Sequence, residues 1–352
     1  MAADAFELPF LSNVGLMLTY KCTVACPHCI VEAGPHRTEE MRLDEALSWI
    51  DQARSYRDGH IAALVLTGGE PFYNLDLLTR ISAHARALGL VISVVTNAYW
   101  ASSPDTALRT LSQVPAVQAI SFSTDVYHQQ AIPFQYVKNA VEAARALRRV
   151  YNVAVCTGNT DDPAYRQTME ELKAMGEADN VRLAITLPVG RAQQHLRDLN
   201  YRTAPEPAVG ACPVASSPVI FPNGNLVACI GPLLTLPPTH PLFLGNLRQE
   251  SLSSILDRAE LNPILHTIRA WGPSRLIALL RKNGYGALLP QEYIGDAICD
   301  PCFKLLSDPR IVAALDTIFR DEELMQLVAY ARVHYLKETT MADRLHLEGS
   351  AD

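Results

Sequence analysis

Nowhere does this chain hold an apolar run of the roughly 18 residues that a membrane span requires. Its opening stretch, Met1 to Phe10, carries acids rather than the basic region of a signal peptide. Together these absences give the expectation of a cytoplasmic protein that does not engage a membrane. A basic stripe is missing too: 30 Lys and Arg stand against 37 Asp and Glu, for a net charge of −7 and a pI near 5.8. That balance argues against an extended nucleic-acid surface. Cysteine is scarce, with 8 in 352 residues, and in a reducing compartment these read as metal ligands or catalytic thiols before disulfides. What is plentiful is apolar content, 49%, enough for the core of a main domain and a smaller one.

The scarce residue is also the patterned one, because seven of the 8 cysteines fall into two groups. The first group is Cys22-Thr-Val-Ala-Cys26-Pro-His28-Cys29, at the end of an apolar run. Such spacing gathers three thiolates on one ion or cluster but takes no fourth from the same loop. Zinc ribbons use two CxxC pairs and closed iron–sulfur sites use four thiolates, so one metal position is left open.

From Val14 to about Arg191 short apolar runs alternate with helical patterns, as in βα units around a parallel sheet. Strands are predicted at Gly15–Thr19, Ala62–Thr67, Val91–Thr96, Ala119–Ser123, Asn152–Cys156 and Val181–Leu187. Leu43–Arg57 and Val137–Val150 are predicted as intervening helices. The polar motifs sit at strand ends. The second strand runs into Thr67-Gly68-Gly69-Glu70-Pro71, whose glycines permit a tight turn and close approach of a ligand to backbone, while Pro71 can open a helix. The third ends at Asn97. In the fourth, alternation puts Ser121, Ser123 and Asp125 on one face, a polar row that suits a polar ligand, although Asp125 could equally cap a following helix. The sixth ends Leu187-Pro188-Val189-Gly190-Arg191-Ala192, where Arg191 suits a carboxylate, a stacked adenine or a structural ion pair.

The cysteine triplet resembles the CxxxCxφC signature of the radical S-adenosylmethionine (SAM) superfamily, with His28 as the ring-bearing residue before the last cysteine. The resemblance covers residues from about 14 to 302. It implies a partial (β/α)6, TIM-like barrel of α/β class over residues 1–200, with catalysis at the C-terminal strand ends. It also implies a [4Fe-4S] cluster on Cys22, Cys26 and Cys29, with SAM on the open iron. Gly68, Gly69 and Glu70 match the family's GGE motif at the amino end of SAM. Asn97, Ser121 and Ser123 would touch its ribose, Arg191 would lie near it, and Asp125 and His128 would reach the substrate.

Beyond the barrel Pro205, Pro207, Pro213, Pro218 and Pro222 mark a boundary. Cys212 precedes two short apolar runs joined through Asn223-Gly224, a hairpin signal that brings Cys229 back toward it, and Cys299-Asp-Pro-Cys302 supplies a second pair. Four thiolates make a complete site, for which spacing alone leaves zinc open. The pattern is similar to the twitch domain, a truncated SPASM domain, and implies one auxiliary [4Fe-4S] cluster in a unit of residues 201–303. A helical tail, 304–352, is expected to follow, with helices at Ile311–Phe319 and Glu322–Glu338.

The eighth cysteine, Cys156, ends the fifth strand. Facing the barrel, it could give a hydrogen atom to a substrate radical; if Thr157 faces the ligand instead, alternation leaves Cys156 a buried, inert hydrophobe. The expected activity is SAM cleavage fed by an external flavodoxin- or ferredoxin-like reductant, then hydrogen abstraction in an oxidation of natural-product type. The alternatives are crosslinking or epimerisation of a ribosomal peptide, and a non-catalytic iron–sulfur electron carrier. Only 21 residues precede Cys22, too few for a leader-binding winged helix, which tips the expectation slightly toward a small-molecule substrate.

Overall fold

In a computed structural model the described residues are 12–196, 199–231 and 237–338. The sequence expectations for Met1–Phe10 and for the tail beyond Glu338 therefore lie outside them. The chain divides into two compact units. One holds Asn13–Arg202 with Val219–Asn225; the other holds Thr203–Pro218 and the described residues from Leu226 onward.

The first unit is a parallel sheet of β1 (Asn13–Met17), β2 (Ala63–Thr67), β3 (Val91–Thr96), β4 (Ala119–Ser123), β5 (Val150–Thr157) and β6 (Val181–Ile185), each paired in register with the next. The short strand Val219–Ile220 adds to the free side of β1, also in parallel. Helices α1 (Leu43–Ser55), α2 (Leu75–Ala87), α3 (Pro104–Ser112), α4 (Phe134–Ala146) and α5 (Pro163–Ala174) fill the crossovers. The fold is thus the mixed α/β, partial TIM-like arrangement the sequence predicts, with no closed barrel among the described residues.

Side-chain alternation gives the sheet two unlike faces. Leu64, Leu66, Ile92, Val94, Ile120, Phe122, Val153 and Val155 are buried on one. The other carries Ser93, Ser121, Ser123, Asn152, Ala154 and Cys156, which are only partly covered. A helix-covered apolar face opposite a small, polar face is what an incomplete barrel leaves, since its lumen is not filled by packed side chains.

Several helix limits differ from the predicted ones; the tail helices run Pro309–Ile318 and Glu322–His334 where Ile311–Phe319 and Glu322–Glu338 are predicted. α4 begins at Phe134, directly after Pro133, and stops at Ala146, because Arg148 takes a positive φ of 54° and the chain re-enters the sheet at Val150. α1 stops at Ser55, before a turn in which Arg57 has a φ of 45°.

The turn at Asn223-Gly224, within the first unit, forms as the sequence signals. Gly224, at a φ of 85°, donates to the Phe221 carbonyl at 2.9 Å, and the Phe221 amide donates to Asn225. Helices Leu252–Ala259, Pro263–Trp271, Pro273–Lys282, Cys299–Leu306, Pro309–Ile318 and Glu322–His334 follow. The last two are the predicted tail helices, and they belong to the same compact unit as the four late cysteines. Among the described residues no helix is long and apolar enough to cross a membrane.

Candidate active site

The loop after β1 carries the cysteine triplet. Cys22 and Cys26 are buried and Cys29 is partly so. Burial pushes the Cys22 thiol up to about 11, the charges of Glu70 and Cys29 adding to it. Cys26 is pushed up further, by burial and then by Cys22 and Cys29. Thiols that oppose one another's ionisation in this way lie close together, and a bound cation would relieve that opposition.

The GGE loop shows why it needs glycines. Gly69 donates to the Thr19 carbonyl at 2.6 Å and Glu70 to Lys21 at 2.9 Å. A Cβ on Gly69 would lie 2.2 Å from the Lys21 oxygen, and one on Gly68, at a φ of 152°, 2.6 Å from that of Thr19. The close approach expected for a ligand is here made to the protein's own backbone, where the chain enters the cysteine loop. The Glu70 carboxylate is likewise held by the protein's own groups. It is fully buried and accepts from the Phe72 amide at 3.0 Å, the Thr96 hydroxyl at 2.8 Å and the Asn97 amide at 2.8 Å. Burial raises it to about 7 against those three hydrogen bonds. So fixed, Asn97 donates its side-chain amide to the Cys22 sulfur at 3.6 Å and to Thr23 Oγ1 at 3.4 Å.

Arg191 also addresses the loop. Its guanidinium donates to the carbonyls of Cys26 at 2.8 Å and Ala33 at 2.6 Å, and its amide to Cys29 at 3.2 Å. Among the described residues the structural ion pair weighed for it is not seen; the hydrogen-bond partners described for it are carbonyls.

Asp125 lies just past β4 and is 1% exposed. One oxygen accepts from the Tyr127 and His128 amides, both at 3.0 Å, so it caps a tight turn; α4 starts only at Phe134. The other oxygen meets His128 Nδ1 at 2.9 Å and lies 3.9 Å from His28 Nε2. Burial raises this carboxyl, but the two histidines and the turn more than offset it, and its net shift is downward. His28 is lowered to about 4 by burial, Asp125 opposing that shift, so it is neutral near pH 7. Its ring stacks on Tyr127 with centroids 4.6 Å apart, and its buried Nδ1 has no hydrogen-bond partner. Tyr127 escaped the sequence reading; its only signal is its place inside the Asp125–His128 turn.

Cys156 requires a correction. Pairing of β4 with β5 sets Ser121 beside Asn152, where the Ser121 hydroxyl donates to Asn152 Oδ1 at 2.8 Å, and Ser123 beside Ala154. Cys156 continues that row. Thr157 is the fully buried residue, its hydroxyl turned back to the Asn159 carbonyl at 2.8 Å. The premise of a ligand-facing Thr157 fails because the face is set by register with β4, which one strand's own alternation does not reveal. The ligand-type atoms of His28, Asp125 and Cys156 lie within 4.8 Å of one another, as do those of Cys26, His28 and His128.

The family model described as the Radical SAM superfamily matches residues 16–166. Those residues are a radical SAM domain. Among curated proteins the PqqA peptide cyclase of Xanthomonas euvesicatoria pv. vesicatoria (strain 85-10) is 31% identical over 93 residues, 26% of this chain and 24% of that protein. The PqqA peptide cyclase of Xanthomonas campestris pv. campestris (strain B100) is 30% identical over 93 residues, with the same coverage. The matches thus span about a quarter of these relatives' length. Among solved structures, anSMEcpe with bound AdoMet and the Kp18Cys peptide superposes with a TM-score of 0.52 at 13% identity, covering 87% of this chain and 99% of that one. Native anSMEcpe with bound AdoMet gives 0.50 at 13% identity, covering 71% and 82%. At such identity the likeness is one of fold.

Within the radical SAM domain the residues fit an iron–sulfur group with one open site: three crowded thiols, an amide aimed at one sulfur and an orphaned imidazole nitrogen beside them. In the second unit Cys212, Cys229, Cys299 and Cys302 likewise oppose one another's ionisation. Burial first, and then the other three thiols, push Cys302 far up, and Cys229 rises to about 12. Cys299 and Cys302 open the helix Cys299–Leu306, Cys212 precedes a 3-10 turn at Pro213–Ser216, and the Gly231 amide donates to the Cys229 sulfur at 3.4 Å.

Proposed function

We propose that this protein is a radical SAM enzyme that removes a hydrogen atom from a peptide substrate and completes a net oxidation. The single observation that carries the reading is the cysteine triplet, two thiols buried and one partly so, in a loop braced from two other strand ends. Cys22, Cys26 and Cys29 would hold a [4Fe-4S] cluster, and Cys212, Cys229, Cys299 and Cys302 an auxiliary one in a twitch-like domain. When loaded, the first cluster, given one electron by an external reductant, supplies reductive cleavage of SAM and hence a 5′-deoxyadenosyl radical that takes the hydrogen atom. Ser121, Ser123 and Asn152 line the polar face toward which SAM and substrate would be turned. Asp125, buried beside His128, would hold or accept a proton as the substrate radical gives up its second electron, for which the auxiliary cluster would be the acceptor. Likeness to PqqA peptide cyclases supports the peptide class.

A second reading, epimerisation, is favoured by the place of Cys156. Burial, with Asp125 adding, raises this thiol to about 12, so it keeps its S–H near pH 7 on the polar face. A thiol there can return a hydrogen atom to a carbon radical, after which no net electron is lost.

The test is anaerobic reconstitution followed by reduction with SAM. Wild type should bind about eight irons, as two four-iron clusters would, and release 5′-deoxyadenosine. A Cys22, Cys26 and Cys29 triple alanine variant should lose about half the iron and all cleavage. Cleavage by that variant would end the reading, and an electron carrier would cleave no SAM at all. Turnover in deuterated solvent then separates the outcomes. Oxidation leaves no solvent deuterium at the product carbon, whereas deuterium lost together with turnover in Cys156→Ala establishes epimerisation.

A further inference from the structure

The cysteine loop has little structure of its own. Between Lys21 and Met41 it contains no helix, and its pairing with itself and its neighbours is limited to the isolated bridges Lys21 to Gly34 and Thr19 to Glu40. Its internal backbone hydrogen bonds are the tight turns Cys29 to Cys26 at 3.1 Å, Glu32 to Cys29 at 3.3 Å and Arg37 to Gly34 at 3.2 Å, with Cys22 to Gly34 at 3.2 Å across its base, and Glu32 takes a positive φ of 52°. Such a loop would sample many arrangements of its thiols unless something outside it fixed their spacing. The GGE segment holds its entry, Thr19 to Lys21. The stretch that carries Cys26 and Cys29 is held instead from the far end of the sheet.

That hold comes from the turn after β6. Gly190, at a φ of 56°, lies so near the loop that a Cβ there would be 2.6 Å from the Ile30 oxygen and 2.8 Å from that of Cys29. This lets the Arg191 amide reach the Cys29 carbonyl, while the guanidinium fork takes the carbonyls of Cys26 and Ala33. A planar fork with fixed N–H directions can bridge two carbonyls on opposite limbs of a loop; a single ammonium cannot hold both in one geometry.

We propose that Arg191 is the positioning residue of the cysteine loop, a clamp from the turn after β6 that sets Cys26 and Cys29 for their metal, and that it is not a contact to SAM. The proposal rests on the reading of Cys22, Cys26 and Cys29 as cluster ligands, but the clamp itself is made by the chain's own groups. The turn Pro188-Val189-Gly190-Arg191 then has a role independent of any ligand: it makes a well-formed β6 end a condition of a well-formed cluster loop.

The experiment compares wild type, Arg191→Lys, Arg191→Ala and Gly190→Ala. Amide hydrogen exchange across residues 22–34 is measured on the metal-free protein, then iron uptake and the electron paramagnetic resonance of the reduced protein with and without SAM. With the clamp lost, exchange in that segment should quicken by on the order of tenfold or more in Arg191→Ala, as expected for losing charge-assisted hydrogen bonds. Arg191→Lys should fall between it and wild type, and iron uptake should drop in the same order. Gly190→Ala should open the same segment with the charge retained. Exchange and iron uptake at wild-type levels in both arginine variants would overturn the proposal. So would a loss of the SAM-induced spectral change alone, which would make Arg191 a SAM contact. A wild type that takes up no iron at the triplet would defeat the cluster reading, and the exchange comparison would still decide the clamp.

Discussion

Glu70 concentrates several effects in one side chain. Three protein donors favour its anion and full burial favours the acid, and burial prevails, giving a value of about 7. An unfolded glutamate titrates near about 4.3. The folded state therefore holds the extra proton between those values, so this group's contribution to stability is fully present below about 4.3 and is lost as pH rises through about 7. Glu70→Gln should remove that pH dependence and lower stability by about 1–3 kcal/mol, because an amide NH2 must face one of the three donors. Thermal melts from pH 4.5 to 8 check this; parallel wild-type and variant profiles would contradict it. Gly69→Ala tests the same loop sterically. A Cβ 2.2 Å from a carbonyl forces backbone apart, for an expected loss of about 1–3 kcal/mol together with weaker iron uptake. Unchanged melting and iron content would show that the loop relaxes freely.

At the level of elements, the proposed four-thiol site would draw on distant parts of the chain, since Cys299 and Cys302 come long after Cys229. A group binding all four thiols closes that long stretch and takes chain entropy from the unfolded state, about 2–5 kcal/mol by analogy with a disulfide. Cys299→Ala should therefore lower the melting temperature of the reconstituted protein as well as its iron content and turnover. The metal-free forms should melt nearly alike. Equal melting of the two reconstituted proteins with full iron would mean that another residue is the ligand.

For the second unit as a whole, the tail is fastened through buried charge. Arg269 and Arg332, both nearly inaccessible, converge on Glu338; Arg332 also pairs with Glu260, and Arg269 donates to Ser216 at 2.8 Å and meets His266 Nδ1 at 2.9 Å. Glu338→Ala removes the carboxylate paired with Arg269 and one of the two paired with Arg332, and losses from breaking a buried pair run to about 3–5 kcal/mol. Burial pushes the Glu338 carboxyl up, but the two arginines more than offset it, and its net shift is downward. Its contribution is thus present above the ordinary carboxylate range and disappears as pH falls through its lowered value. Acid denaturation should begin at higher pH in Glu338→Ala than in wild type; superimposable acid transitions would refute that.

Much of this molecule is legible in local pattern. The metal-binding spacing of Cys22, Cys26 and Cys29 lies within one loop, the six strands and their crossovers follow from apolar periodicity, and the Asn223-Gly224 turn needs only a glycine that tolerates a positive φ. Those features depend on neighbours in sequence. What only the tertiary structure decided are contacts between strand ends that sequence distance hides. Thr19 and Lys21, not a ligand, demand the bareness of Gly68 and Gly69. Glu70 turns inward to fix Asn97, and Arg191 grips a loop more than 150 residues upstream. Cys156 shows the reason most plainly. Alternation along one strand says which residues share a face, but only register with β4 says which face looks into the sheet's polar side.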